Sequence, residues 1–214
     1  MLKNKLTSIY RENTAFKPFL LSILVTGISY GLFKGMMDNF LAEVVGMGEM
    51  GRGVTEFFRE LPGVALIFIL ALFFMFSAQK LYKIGAVIML VGMSMHALLP
   101  PTKVLATLAI CIYSLGEHMQ IGMKNTIALE YAQDGKGGQA LGAHTSATQI
   151  GTLVGYIVII VAFSLITKDQ PYTLFFAVAA LLAGVSVICS MQVKGDSKTD
   201  EHRRRFYLNK KYKK

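Results

Sequence analysis

The stretch Lys103–Glu130, KVLATLAICIYSLGEHMQIGMKNTIALE, decides how the chain is read. It is long and mostly apolar, yet Tyr113, Glu117, Gln120 and Lys124 recur at i, i+4, i+7 and i+11, one face of a helix. At about 1.5 Å per residue, Glu117 lies roughly 21 Å along from Lys103, inside a bilayer core about 30 Å thick. A carboxylate at that depth must be paired, hydrated or protonated. One reading is a buried structural pair of Glu117 with Lys124 or with another helix's cation. The other is a group that meets a solute, and Glu117's depth favours it.

Five more apolar stretches flank this one, so the spans read 19–46, 52–78, 84–101, 103–130, 141–166 and 171–193. The chain is 53% hydrophobic and 16% charged, with mean hydropathy +0.49, outside ordinary globular composition. Short loops leave no room for a soluble domain, which implies an all-α polytopic membrane bundle with six transmembrane helices. The expected organisation is a cytoplasmic segment 1–18, a membrane domain 19–193 and a basic tail or linker 194–214. Interior charge is unevenly shared. Stretches one, two, four and five carry Lys34 and Asp38; Glu56, Arg59 and Glu60; Glu117, His118 and Lys124; and His144 with Gln149. Stretch three holds only His96 near an end, and stretch six has no charge between Pro171 and Val193. Charge within a bilayer normally faces a bundle interior or a wet cavity, so four helices line something polar and two face mostly lipid.

The net charge of +9 is placed by side of the membrane. Sixteen Lys and Arg fall on the side of the termini and four, Arg52, Arg59, Lys103 and Lys168, on the other. That bias places both termini in the cytoplasm of a cell-membrane, multi-pass protein. The basic tail lacks an aromatic stacking pattern and reads as solvated or lipid-facing, with no nucleic-acid partner. No cleavage site follows the first apolar run, so it is read as a retained helix. Cys111 and Cys189 fall within spans and make neither a disulfide framework nor a zinc site.

In helix one, Gly27, Gly31 and Gly35 leave one face bare for close backbone approach, beside a polar row of Thr26, Tyr30, Lys34 and Asp38. Lys34 reads either as a snorkelling lysine paired with Asp38 or as a pathway residue. Helix two carries Glu56, Arg59 and Glu60 at the outer boundary, where Arg59 can pair with either carboxylate as a gate or structural ion pair. Pro62-Gly63 mark a kink. The link Ser77–Lys83 is read as a short loop, and His96 as a satisfied polar residue at the outer interface. His118 points about 100° away from Glu117 and serves helix packing. Asp134 to Gly138 reads as a turn without Walker spacing. On helix five, Thr145, Gln149, Thr152 and Tyr156 form a polar face, and Gly151 with Gly155 a close-packing pair. Asp169-Gln170-Pro171 reads as the cap of helix six.

These residues resemble the N-terminal half of a major facilitator superfamily transporter, over nearly all of 1–214. The segment from Gly138 to Gly142, continued through Gly151 and Gly155, is the best local match. The resemblance implies two inverted three-helix repeats, with helices one, two, four and five lining a cavity and three and six outside. It also implies a second six-helix half, either covalent after Lys214 or supplied by a second copy. The segment Met75–Lys83 departs from the family's arginine-rich loop, offering only Lys80 and Lys83. The family's frequent helix-four arginine is absent as well, so the resemblance does not carry proton coupling by that route.

The function expected is secondary transport of a small solute by alternating access, with Tyr30, Lys34, Asp38, Tyr113, Glu117, Gln149 and Thr152 as solute contacts. Glu56, Arg59, Glu60 and Lys124 are expected to gate or form ion pairs. Membrane lipid is the other partner, and no cofactor or metal is implied. An enzyme is disfavoured by the lack of a metal-ligand pair or nucleophile elbow. A channel or non-transporting scaffold is the alternative, although no repeated pore-loop filter is visible.

Overall fold

Helices in this chain start and stop where the local chemistry dictates. In the computed structural model, which describes residues 8–12, 14–73, 76–166 and 171–195, six helices follow one another. They are α1 (Phe16–Glu43), α2 (Glu49–Leu72), α3 (Ala78–Leu98), α4 (Lys103–Tyr131), α5 (Gly137–Leu165) and α6 (Tyr172–Met191). Pro18 sits in the first turn of α1, where its missing N–H costs nothing. The Ser77 hydroxyl accepts from the Lys80 amide and caps α3. Helix α3 therefore begins at Ala78 and absorbs Lys80 and Lys83, which corrects the loop expected over Ser77–Lys83. Thr102 caps α4 in the same way through the Leu105 amide. Gly135, at φ +75°, turns the chain between α4 and α5, and α5 starts a turn earlier than its apolar run. Asp169 and Gln170 of the expected α6 cap lie outside the described residues, as do 1–7 and 196–214.

Five of the six helices are long and apolar enough to cross a membrane. The exception is α2, whose 24 residues include Glu49, Arg52, Glu56, Arg59 and Glu60. Its apolar run begins only after that charged first half.

Packing follows glycine. Gly27 and Gly31 of α1 meet α5 at Thr148, Gly151, Thr152 and Gly155, so close that a Cβ on any of these four glycines would strike the opposing main chain. Without a hydrophobic drive between helices in lipid, such backbone proximity supplies the dispersion contacts. Gly35 instead faces the Tyr156 ring. Helices α3 and α4 use the same device through Gly85, Gly92 and Gly116, with Gly92 against the Tyr113 main chain. Further packed pairs are α1–α6, α3–α6, α2–α4 and α4–α5, with slight α1–α2 and α1–α4 contact.

Small hydroxyls stitch α1 to α6. Ser29 Oγ donates to Ala179 O at 2.7 Å, Ser186 Oγ donates to Ser22 O at 3.0 Å, and Thr26 bonds Ser186. Thr26 thus faces α6, away from the rest of the polar row predicted on helix one. His96 is buried in the bundle, where Phe33, Phe40 and Phe176 surround its ring at 5.0–6.0 Å, and it is not the fully satisfied polar residue expected. Its Nδ1 bonds Gly92 O at 3.0 Å while Nε2 has no partner among the described residues.

At the end where α1 starts, residues 8–12 clasp the α4–α5 turn. Ile9 O accepts from the Gln133 amide and Tyr131 O from the Arg11 amide, both at 2.9 Å. The buried Tyr10 hydroxyl donates to Ala140 O at 3.0 Å. The Arg11–Asp134 pair at 3.1 Å is largely exposed and contributes little. Tyr10→Phe is expected to cost about 1 kcal/mol, the net worth of a buried hydrogen bond, read as a lower midpoint in thermal unfolding.

Candidate functional site

The ionisable side chains of α1, α2 and α4 converge where those helices meet. Lys34 Nζ of α1 lies 3.2 Å from Glu56 Oε1 of α2. Arg59 holds Glu56 Oε2 through Nε at 2.6 Å and Glu60 Oε1 through its terminal nitrogen at 2.5 Å. His118 Nε2 of α4 lies 3.5 Å from Glu60 Oε2. Five side chains from three helices therefore make one network, in which the Lys34 and Arg59 side chains are only 22% and 20% exposed.

Local sequence explains the convergence. Positions 56, 59 and 60 share one face of α2, and Pro62 interrupts its hydrogen-bond ladder one turn further on. The Arg59 carbonyl is taken by the Ser114 hydroxyl of α4, which ties the two helices at that level. Gly63 admits the His118 ring, since a Cβ there would lie 2.6 Å from it. Ser114 O holds His118 Nδ1 at 2.9 Å.

Two expectations change here. Lys34 pairs across helices with Glu56, not along α1 with Asp38, which is exposed. Glu117 and Lys124 are within electrostatic reach but form no ion pair. Seven positions on one helix separate them, so a structural pair between them is not made.

Glu117 sits beside the network. Its Oε2 is buried without a hydrogen-bond partner among the described residues, as is the Tyr113 hydroxyl, which approaches it without reaching bonding geometry. Tyr30 of α1 and Tyr156 of α5 are also within electrostatic reach of this carboxylate. Four helices thus send a polar group toward Glu117 or its neighbours. Gln149 is exposed and Thr152 half-buried, on the same flank of α5 as Tyr156, but neither side chain bonds to the network. Lys124 is half-buried with no ion pair, and nearby His144 bonds Asn125 at 2.9 Å.

The features without a signal in the sequence are the His118–Glu60 contact and the Ser114 tie, while Tyr156, on the expected polar face of helix five, joins the residues around Glu117 although it is not among the expected solute contacts. His118 and Ser114 are four apart on α4 and face Pro62-Gly63, a pairing with a signal only once α2 is known to pack on α4.

A separate concavity of about 900 Å³ lies between α2 and α4, lined by Met50, Val54, Phe58, Leu61, Val104 and Leu108 among others. Its walls are apolar and on the side of α2 opposite Glu56 and Glu60. Among the described residues no three His, Cys, Asp or Glu side chains are placed to hold a metal ion. No protein-family model matches the chain, and no curated protein matches it.

Proposed function

We propose that the protein is a secondary carrier for a small solute, working by alternating access and built like the N-terminal half of a major facilitator superfamily transporter. The single observation that carries this reading is Glu117: an intramembrane carboxylate beside an ion-pair network yet outside it. An ionisable group in a membrane helix is expensive and is retained where it acts on a pathway. A scaffold would gain from replacing it with an apolar residue, because an unpaired buried charge only destabilises.

The pairing of helices supports an inverted repeat. Exchanging α1 with α4, α2 with α5 and α3 with α6 turns α1–α5 into α4–α2 and α1–α6 into α4–α3. It also turns α1–α2 into α4–α5 and leaves α3–α6 and α1–α4 unchanged. A repeat of this kind places the site at its own interface and lets one unit rock on the other. In this reading α2 is the sixth span, its charged half near the outer boundary, and the termini are cytoplasmic by the Lys and Arg bias. The polar face of α1, α2, α4 and α5 leaves Glu60 and Gln149 exposed, which lipid tails do not solvate. A second six-helix bundle, continuous with the chain or a second copy, covers it.

Counterflow is the test. Proteoliposomes loaded with unlabelled amino acids, short peptides, sugars or organic acids are diluted into the labelled compound. A carrier accumulates label transiently above its equilibrium level for one class. Simple equilibration, or no uptake of any class, overturns the carrier reading.

A further inference from the structure

Most of the charge around this face is already compensated by protein. Lys34, Glu56, Arg59, Glu60 and His118 bind one another, and Arg59, whose charge also reaches Glu117, is held by two carboxylates at 2.6 and 2.5 Å. Two charged groups on α4 are left over. Glu117 has an oxygen buried without a partner, and Lys124 makes no ion pair or hydrogen bond among the described residues. They share one helical face, and the field of each acts on the other. One anion and one cation, fixed on a single rigid element and not in contact, form a template for a ligand with the opposite two charges.

We infer that the site takes a dipolar solute, whose ammonium group pairs with Glu117 and whose carboxylate pairs with Lys124. The inference rests on the carrier reading for its setting, and it adds the substrate class. In a low-dielectric face, a singly charged solute would satisfy one of the two groups and leave the other uncompensated, whereas a zwitterion satisfies both. Tyr30, Tyr113 and Tyr156 around Glu117 supply hydroxyl and ring faces suited to an ammonium group.

The spacing sets the length. Seven positions separate the two Cα atoms by about 10 Å along the helix. Both side chains lean toward the helix N-terminus and lysine reaches further, so the charged tips come to within roughly 6–10 Å. Ion contacts of about 2.8 Å at each end take up roughly 5–6 Å of that gap, and a zwitterion of one or at most two residues, at about 3.5 Å per residue, covers the rest.

The test measures binding to the purified full chain of the zwitterions dialanine and diglycine, N-acetyl-dialanine as the monoanion, and dialanine amide as the monocation. Parent, Glu117→Gln and Lys124→Gln proteins are compared. The parent is expected to bind the zwitterions at least about tenfold more tightly than either singly charged peptide. Glu117→Gln is expected to prefer the monoanion and Lys124→Gln the monocation, a reversal that a merely structural role would not produce. Equal binding of a singly charged peptide by the parent, an unchanged order in the variants, or no binding of any of these peptides overturns the inference. Counterflow of some other solute class without these peptides removes the substrate class and leaves the carrier. Peptide binding in the stated order without counterflow leaves the dipolar site and removes the carrier.

Discussion

Glu117→Gln is expected to cut solute uptake at least about tenfold while leaving the folded protein as stable as its parent or slightly more so. The two halves of that outcome share one cause. Glu117 Oε2 is buried and unpartnered, so removing its charge removes a desolvation cost and breaks no ion pair. A group held at a cost to the fold and needed for activity is the signature of a site residue. Glu56→Gln is expected to do the reverse. Glu56 bridges Lys34 and Arg59, so neutralising it leaves two cations with less compensation and lowers the unfolding midpoint. Partial exposure of the pair limits that cost to about 1 kcal/mol. Measuring uptake and thermal unfolding on both variants checks the pair of expectations. Equal losses of uptake would place Glu117 in the structural network with Glu56.

The second large effect belongs to packing. Gly155→Val is expected to destabilise the protein by about 3 kcal/mol, the upper end for overpacking a tight contact, or to prevent folding. A Cβ at 155 would collide with the Ile28 carbonyl and lie 2.7 Å from the Leu32 amide and 2.8 Å from the Gly31 Cα, all main chain. Main chain in a helix cannot rotate away, so α1 and α5 must part. Gly142→Ala, on the same helix at an exposed position with no atom within 4 Å, is the control. It is expected to gain about 0.5–1 kcal/mol from helix propensity. If both variants unfold alike, the glycines of α5 act through backbone entropy and not through contact with α1.

The contrast between those glycines shows what could be foreseen. Gly27, Gly31, Gly151 and Gly155 follow a four-residue spacing, so their role in close packing was legible along each helix. Gly85, Gly92 and Gly116 lack a repeat that isolates them, and their contact between α3 and α4 emerges only when the helices are brought together. Lys34 illustrates the same limit. Along α1 its nearest acid is Asp38, four residues on, and nothing in one helix says that Glu56 from α2 lies closer. His96 sits near the end of an apolar run, where an interfacial place follows from depth alone. The aromatic rings that bury it come from α1 and α6, far away in sequence.

The six helices, the face of α4 that carries Tyr113, Glu117 and Lys124, and the grouping of Glu56, Arg59 and Glu60 on α2 are all readable along the chain. Each of these follows from the helical period and from hydrophobicity, both properties of neighbouring residues. Which charges neutralise one another and which are left over is set by how the helices pack. Ion pairing depends on distances of a few ångströms between helices, and those are set by where glycines let backbones meet.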